Sequence, residues 1–326
     1  ESSVITDFVQ LLIIIIALII LIPWIIISTG PEILLGGLRG IANNTLNIFD
    51  PKLAFSLGIV TAIGLISGAI SDQQYWQRAF AIKKENLVKS FAFGAVMFGI
   101  IPVALSSLGF LAANTSLGIS LPQGVDVSMI GIATVSQFLP IGALALFVVM
   151  LLSALFSTLD SGLNAASSLY VTDVVKYTDK EKEVLKKSDE NLPLNPDEES
   201  IQKELDNRGV RNSRWAMFGI TVLGFLVALA ANYIPGFGLK HLWWIFNTIA
   251  ACVVVPTILS LYWSRLDARG VFWGVLTAFV IGVPLFIYGN IIDKPVWIVG
   301  ASLFIIAVST AFCLAMPKKN VEPSRI

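Results

Sequence analysis

Long apolar stretches alternate with short polar segments along the whole chain. Each stretch holds about twenty residues, the length of an α-helix that crosses the hydrocarbon core of a bilayer. Only helices and closed barrels satisfy their backbone in lipid, and these stretches are too long and continuous for barrel strands. The sequence therefore predicts an all-α polytopic membrane protein with eight spans, at about residues 8–28, 53–71, 90–113, 140–170, 215–234, 242–263, 271–289 and 296–316.

Three of the connecting segments are long enough to have structure of their own. Residues 31–48, which Pro31 opens, and residues 126–138 have the apolar spacing of helices that lie on a membrane surface. The segment 176–214 carries nine basic and ten acidic residues. That composition predicts a solvated, mobile loop, with a regulatory docking site as the alternative.

The placement of the basic residues predicts the orientation. If the first span starts in the cytoplasm, 18 of the 22 Lys and Arg residues lie on the cytoplasmic side. Positive charge is enriched on that side of membrane proteins. The sequence therefore predicts a multi-pass protein of the cell (plasma) membrane with both ends of this chain in the cytoplasm.

Composition excludes several classes of protein. Hydrophobic residues make up 56% of the chain and charged residues 13%, which is far from the balance of a soluble enzyme or a nucleic-acid binder. Cys252 and Cys313 lie in apolar stretches and are expected to pack as small hydrophobic side chains. The single histidine, His241, leaves little from which to build a zinc site or a catalytic triad. Because the first residue is Glu1, we expect the chain to be the C-terminal part of a longer polypeptide.

The fourth span has the densest polar chemistry. Ala154, Ser157 and Thr158 are spaced to share one helix face, and Ser161 extends that face. Hydroxyls and a backbone carbonyl are the oxygen ligands that a hard cation prefers. The alternative is that these hydroxyls bond to carbonyls of their own helix. Asp160 lies among them, and a carboxylate inside a span is rarely retained without a partner.

Two other places in the spans admit two interpretations each. Asp7 precedes the first long apolar stretch and is either a functional carboxylate or the N-cap of the first helix. In the second span, Gly64, Ser67 and Gly68 indicate either a discontinuous helix that lines a site or close packing between helices. The polar and aromatic residues 72–78 that follow are typical of interfacial anchoring.

Three motifs, in this order, resemble those of the sodium:solute symporter family. They are Ile5-Thr6-Asp7-Phe8-Val9-Gln10, then Asp72-Gln73 with Gln77-Arg78, then Ser157-Thr158-x-Asp160-Ser161 with Ser167-Ser168 and Asp173. The resemblance extends over about residues 1–177, and beyond them only the pattern of spans agrees.

The resemblance implies the inverted-repeat fold of the leucine transporter type. Residues 1–28 would be the last helix of the first repeat, and residues 53–263, with the cytoplasmic loop 176–214, the second repeat of five spans. Residues 271–326 would form two peripheral spans and a cytoplasmic tail. The front of the first repeat, with its unwound helix, would belong to a missing N-terminal segment of the same transporter.

The resemblance also implies an ion site. The Ala154 carbonyl and the Ser157 and Thr158 hydroxyls would bind Na⁺ together with the missing unwound helix, so Na⁺ is the coupling ion and no other cofactor is expected. The position of Asp7 is associated in relatives with the cytoplasmic release path of the ion. We add the hypothesis that Asp7 and Asp160, with Ser161, form a second cation or proton site.

Sodium-coupled symport of a small polar solute is the function that the resemblance implies, with Gly64, Ser67 and Gly68 as the solute region. Sugar-transporting relatives carry an Asn-x-x-Tyr-Trp stretch where this chain has residues 65–69, so a sugar is disfavoured. The string 72–77 looks more like the urea-type branch, although we expect it to face the cytoplasm. An amino acid such as proline, or a small carboxylate, stays open.

Three other functions compete with this prediction. They are a proton-coupled transporter of the same fold, a membrane sensor module of a signalling protein, and a channel. The predicted partners are the solute, Na⁺ and the lipid bilayer, and no nucleic acid is expected.

Overall fold

The computed structural model describes residues 2–40, 46, 47, 49–51, 53–121, 125, 127–234, 239–292 and 294–318. The regular structure of these residues is helical. The chain divides into two compact units. The first unit is Glu1–Ile14 with Val148–Phe237, and the second unit is Ile15–Phe147 with Gly238–Ile326.

Thirteen α-helices are described in these ranges, and eight helices are long and apolar enough to cross a membrane, which confirms the eight predicted spans. The α-helices are α1 (Ser2–Thr29), α2 (Pro31–Gly37), α3 (Val60–Ser71), α4 (Gln73–Ala81), α5 (Leu87–Ala113), α6 (Ile130–Phe138), α7 (Ile141–Leu169), α8 (Asp179–Asp189), α9 (Pro196–Asn232), α10 (Leu239–Tyr262), α11 (Ala268–Thr277), α12 (Val283–Ile291) and α13 (Pro295–Ala315). Three π-helical segments, Leu53–Ile59, Tyr170–Val174 and Ala278–Gly282, extend the spans that contain α3, α7 and α11–α12.

The second unit is built around α10 and α13. Helix α3 packs on α10, while α13 packs on α10, α11 and α12. A cluster of small and branched apolar side chains lies at the centre of this packing: Ala251, Cys252, Ala278, Val283 and Ile305. The burial of Cys252 here, and of Cys313 on α13, confirms that both thiols lie among apolar neighbours.

Glycines allow α13 to approach the seventh span closely. A Cβ atom at Gly274 would lie 3.0 Å from the Ser309 carbonyl oxygen, and one at Gly289 would lie 2.9 Å from the Ile298 amide nitrogen. At Gly282 a Cβ would collide with the buried Ile305 side chain. Small residues let membrane helices pack backbone to backbone, where dispersion contacts replace a hydrophobic driving force.

The short helices between the spans agree in part with the sequence. Pro31 opens α2, which ends at Gly37, so a helix covers only the start of the predicted segment 31–48. Residues 41–45 and 48 lie outside the described residues. Helix α2 is fixed to α5 because the Asn114 side-chain amide donates to the Ile33 carbonyl at 2.9 Å. The second predicted helix, 126–138, contains α6.

The break that one of the two interpretations of the second span implies is absent from the described residues 53–71. This stretch is a π-helix over Leu53–Ile59 that continues directly as α3, so Gly64, Ser67 and Gly68 all lie in regular helix. Gly64 and Ser67 are buried, and α3 packs on α10 at this position. The contacts of Gly64 and Gly68 with Asn247 on α10 agree with the close-packing interpretation of this span.

The first unit contains helices where the sequence predicts a mobile loop. Residues 176–214 form α8, a turn, and the first nineteen residues of α9, which then continues as the fifth span. Each helix opens with a capping box, Thr178 with Glu181 and Asn195 with Glu198. Reciprocal capping satisfies amides that would otherwise lack partners, so it stabilises short helices that composition alone disfavours. We call α8 and residues 196–214 of α9 the helical hairpin.

Ion pairs connect the two arms of the helical hairpin. The Arg208 guanidinium on α9 donates to the Glu181 carboxylate at 2.9 Å and to the Lys176 carbonyl at 2.9 Å. Lys187 on α8 contacts Glu198 on α9 at 2.7 Å. Backbone and side-chain hydrogen bonds from Thr178, and then the nearby Arg208 charge, lower the pKa of Glu181. The hydrogen bond with Glu198 raises the pKa of Lys187.

We expect Arg208→Gln to weaken the hairpin at neutral pH. Because the pKa of Glu181 is lowered on folding, its contribution to stability is present above the ordinary glutamate pKa and is lost as the pH falls below it. Hydrogen exchange of the α8 amides, measured by mass spectrometry, should be about two- to fivefold faster in the variant at pH 7. Arg211→Gln, one turn further along α9, is the charge-matched control and should leave exchange unchanged. Equal exchange in both variants would show that the Arg208 ion pair does not hold the hairpin.

Candidate functional site

A carboxylate on the first span meets hydroxyls of the fourth span within the first unit. Ser157 Oγ donates to Asp7 Oδ1 at 2.6 Å, and Ser161 Oγ donates to Asp7 Oδ2 at 3.5 Å. The two serines are one helical turn apart, so both face α1. Because α1 begins at Ser2, Asp7 lies inside the helix, and the N-cap interpretation of this residue is wrong.

The three predicted sodium ligands are adjacent on α7. Thr158 Oγ1 donates to the Ala154 carbonyl oxygen at 3.0 Å, so two of the ligands contact each other. This is the bond to its own helix that the sequence left as an alternative. A hydroxyl that has donated its proton keeps lone pairs, and a carbonyl oxygen has two, so Ala154, Ser157 and Thr158 can still coordinate a cation.

Asp160 occupies a different place from Asp7. Its Oδ1 accepts a hydrogen bond from the side-chain amide of Asn164 on the same helix at 3.3 Å. Within the hypothesis of a second site with Asp7, Asp160 and Ser161, a long hydrogen bond joins Ser161 to Asp7.

Gln10 adds an unusual polar group one turn after Asp7. Its side-chain oxygen is buried and has no hydrogen-bond partner among the residues that the structure describes. A buried amide oxygen without a partner is costly, particularly in lipid, and each such case calls for an explanation. The sequence motif contained Gln10, but its burial could be found only from the structure.

The second motif forms the turn between α3 and α4. Asp72 caps α4 by accepting from the Gln74 amide at 2.9 Å, and the Trp76 indole donates back to the Ile70 carbonyl at 2.7 Å. Ser71 Oγ donates to the Ala250 carbonyl on α10 at 3.1 Å. The other motif residues are on α4, where Gln73 and Gln77 are half-buried and Arg78 is exposed. Asp72 therefore fixes the end of the second span.

Sequence analysis missed Asn247, which faces the predicted solute region. Its Nδ2 donates to the Trp243 carbonyl at 2.7 Å, and its Oδ1 would lie 3.4 Å from a Cβ placed on Gly68. A cavity of ≈ 10 Å³, room for about one water molecule, lies between α3, α10, α12 and α13 and is lined in part by Gly64, Asn247 and Ser302. In the sequence, the only signal for Asn247 is that it is a polar residue in an apolar stretch, four residues after Trp243.

Eight helices long and apolar enough to cross a membrane, with a carboxylate held by hydroxyls between two of them, define a multi-pass membrane protein with a polar contact between two spans. Carriers of ions and small solutes have sites of this kind. Residues 1–192 match the sodium:solute symporter family, and the chain belongs to this family. The members of this family are membrane transporters, not enzymes.

Two curated relatives show different solutes and different coupling ions in their names. The chain is 23% identical over 231 residues to the urea-proton symporter DUR3 of Oryza sativa subsp. japonica. The aligned residues are 71% of this chain and 29% of that protein. The chain is also 23% identical over 167 residues to the sodium/glucose cotransporter 4 of Danio rerio, with 48% of this chain and 21% of that protein covered. The chain thus spans less than a third of these relatives. No solved structure matches it.

Proposed function

We propose that this chain is part of a sodium-coupled symporter that imports a small polar solute across the cell membrane. The observation that carries the proposal is the 2.6 Å hydrogen bond from Ser157 to Asp7, which places a carboxylate beside the predicted sodium ligands. Membership of the symporter family supports the same assignment. In this proposal the fold is the inverted-repeat type, with residues 1–28 ending the first repeat and residues 53–263 forming the second.

Sodium would bind at the Ala154 carbonyl and at the Ser157 and Thr158 hydroxyls, with its remaining ligands from a segment outside this chain. Ser157 serves both sides of the site, because it contacts Asp7 and lies next to Thr158. Asp7 offers an oxygen to an ion that leaves these ligands, which supports a role in release. Coupling requires that the ion and the solute each bind the outward-facing and inward-facing states with different affinity.

Proton coupling is the second candidate, and one observation favours it. The Asp7 carboxylate contacts two hydroxyls on α7, and a carboxylate in a span can itself carry a proton. One relative bears the name urea-proton symporter, which also favours urea as the solute. In this second candidate the coupling proton binds at Asp7, in place of sodium at the three predicted ligands. Asp160 and Ser161 complete the second site.

Uptake by the full-length protein in proteoliposomes tests the proposal. Radiolabelled urea and proline would be offered with an inward sodium gradient, an inward proton gradient, or neither. We expect saturable urea uptake that depends on sodium and falls in Ser157→Ala and Thr158→Ala. Ser106→Ala is the matched control, because this hydroxyl bonds its own helix at the Val103 carbonyl. If uptake depends on the proton gradient alone, the coupling ion is a proton and not sodium. A flux that does not saturate with solute concentration would indicate a channel.

Asn247→Ala is expected to raise the KM for the solute about tenfold while the dependence on the ion stays unchanged. The reason is that Asn247 directs its amide oxygen at the glycine face of α3, and loss of one hydrogen bond to a polar solute costs about 1–1.5 kcal/mol. Initial uptake rates against solute concentration give the KM. Thr257→Val is the control, because the Thr257 hydroxyl bonds the Val253 carbonyl of its own helix and does not line the cavity beside Asn247. An unchanged KM in Asn247→Ala would remove this residue from the solute site.

A further inference from the structure

A groove runs along one face of α11 in the second unit. Its walls are the apolar side chains Val271, Phe272, Val275, Leu276 and Phe279, and Lys318 lies at one end. Positions 271, 275 and 279 follow each other at four-residue spacing, as do 272 and 276, so they form two neighbouring rows of one helix face. The volume is ≈ 730 Å³, within the range of small-molecule sites. We call this feature the α11 groove.

Basic residues cluster at the turn that adjoins the Lys318 end of the α11 groove. The Lys318 amide donates to the Arg265 carbonyl at 2.8 Å, which fixes the segment after α13 to the turn before α11. Arg265 and Arg269 are both exposed at this turn. The carboxylate here, Asp267, caps α11 by accepting from the Arg269 amide at 2.8 Å. Among the described residues at this end, three cations and one carboxylate give a net positive charge.

Aromatic side chains mark the same end as an interface. The rings of Phe272 and Trp273 meet edge to face at 5.3 Å, and about half of each side chain is exposed. Trp is enriched at the level of the lipid headgroups, where its ring lies in the apolar layer and its N–H reaches water. The α11 groove therefore extends from the headgroup level into the hydrocarbon layer.

We propose that the α11 groove binds a phospholipid with an anionic headgroup. One acyl chain lies against Val271, Val275 and Phe279, and the phosphate contacts Arg265 and Lys318. A neutral lipid fills the apolar walls but leaves the positive end uncompensated, and a free phosphate leaves the apolar walls uncovered. Basic pockets at the membrane surface recognise anionic headgroups by this combination of charge and apolar contact.

Native mass spectrometry of the full-length protein tests the proposal. The protein would be reconstituted in phosphatidylcholine with about one fifth phosphatidylglycerol and released from detergent in the instrument, and the retained lipids would be counted. We expect preferential retention of phosphatidylglycerol, reduced at least tenfold in the double variant Arg265→Gln with Lys318→Gln. Val275→Trp, which fills the groove without changing its charge, should reduce retention equally.

Three controls separate the possible outcomes. Lys83→Gln with Lys84→Gln removes two basic residues at the end of another span and should leave retention unchanged. Inorganic phosphate at millimolar concentration should not displace the lipid, because phosphate lacks acyl chains. The thermal unfolding midpoint of each variant shows that it is folded. Four results would each overturn the proposal. The first two are equal retention of both lipids by the unchanged protein and loss of phosphatidylglycerol only in the variant with Lys83→Gln and Lys84→Gln. The other two are displacement of the lipid by phosphate and full retention of phosphatidylglycerol in Val275→Trp.

Discussion

Asp7→Asn is expected to reduce ion-driven solute uptake at least tenfold, with little change in the amount of folded protein. Asn keeps the size of the side chain and an oxygen that can accept from Ser157, so the helix contact between α1 and α7 is preserved. The negative charge is lost. A hydrogen bond to a charged group is worth about 1.5–3 kcal/mol, which corresponds to a factor of ten or more in a rate or an affinity.

Two further variants test which residues act together with Asp7. Ser157→Ala removes the short hydrogen bond and one predicted sodium ligand, so uptake should fall as strongly as in Asp7→Asn. Asp160→Asn changes a carboxylate that bonds Asn164 on its own helix, and it tests whether Asp160 belongs to the same site. If Asp160→Asn leaves ion stoichiometry and pH dependence unchanged, the second cation or proton site is rejected. Normal uptake by Asp7→Asn would refute the role proposed for that carboxylate.

Gly282→Ala is expected to destabilise the second unit by about 1–3 kcal/mol, the usual cost of overpacking a core. The added methyl group would meet the Ile305 side chain, which is fully buried in the central apolar cluster and cannot move into open space. Most Gly→Ala changes inside helices are stabilising, so the sign of the effect depends on this contact. Thermal unfolding of the purified full-length protein, followed by tryptophan fluorescence, measures the change.

Gly300→Ala is the matched control for this prediction. Gly300 lies on α13 with no atom within 4 Å of a placed Cβ, so the change should be neutral or slightly stabilising. Ile305→Ala makes room for the new methyl group, so the double variant with Gly282→Ala should lose less stability than the two single variants together. Strict additivity would mean that the Ile305 contact is not the cause.

The spans were the part of the fold that the sequence predicted best. Hydropathy is a local property, and about twenty apolar residues leave few alternatives to a membrane helix. The contact between Asp7 and Ser157 joins positions 150 residues apart, so neither residue's neighbours in the sequence could reveal it. Only the motif resemblance connected the two positions, through the proposed release path.

One prediction about local structure was wrong, and in two open cases the structure decides between the interpretations. The sequence predicts a mobile loop at the helical hairpin because its charge composition hides the capping boxes at Thr178 and Asn195. In the second span, which allows either a break at the glycines or close packing, the packing of α3 on α10 agrees with the second interpretation. The N-cap interpretation of Asp7 fails because α1 begins at Ser2, before the apolar stretch.

Helix α9 is one continuous rod from Pro196 to Asn232. Its 37 residues give a length of about 55 Å, whereas the hydrocarbon core is about 30 Å thick. Some 25 Å of the rod therefore extends beyond the lipid, with α8 attached by the Arg208 and Lys187 ion pairs. A rocking of the fifth span by about 10° about the centre of the bilayer would move the tip of this lever arm by about 7 Å, compared with about 3 Å at the membrane surface. A small movement within the bilayer would thus be more than doubled at the far end of the helical hairpin.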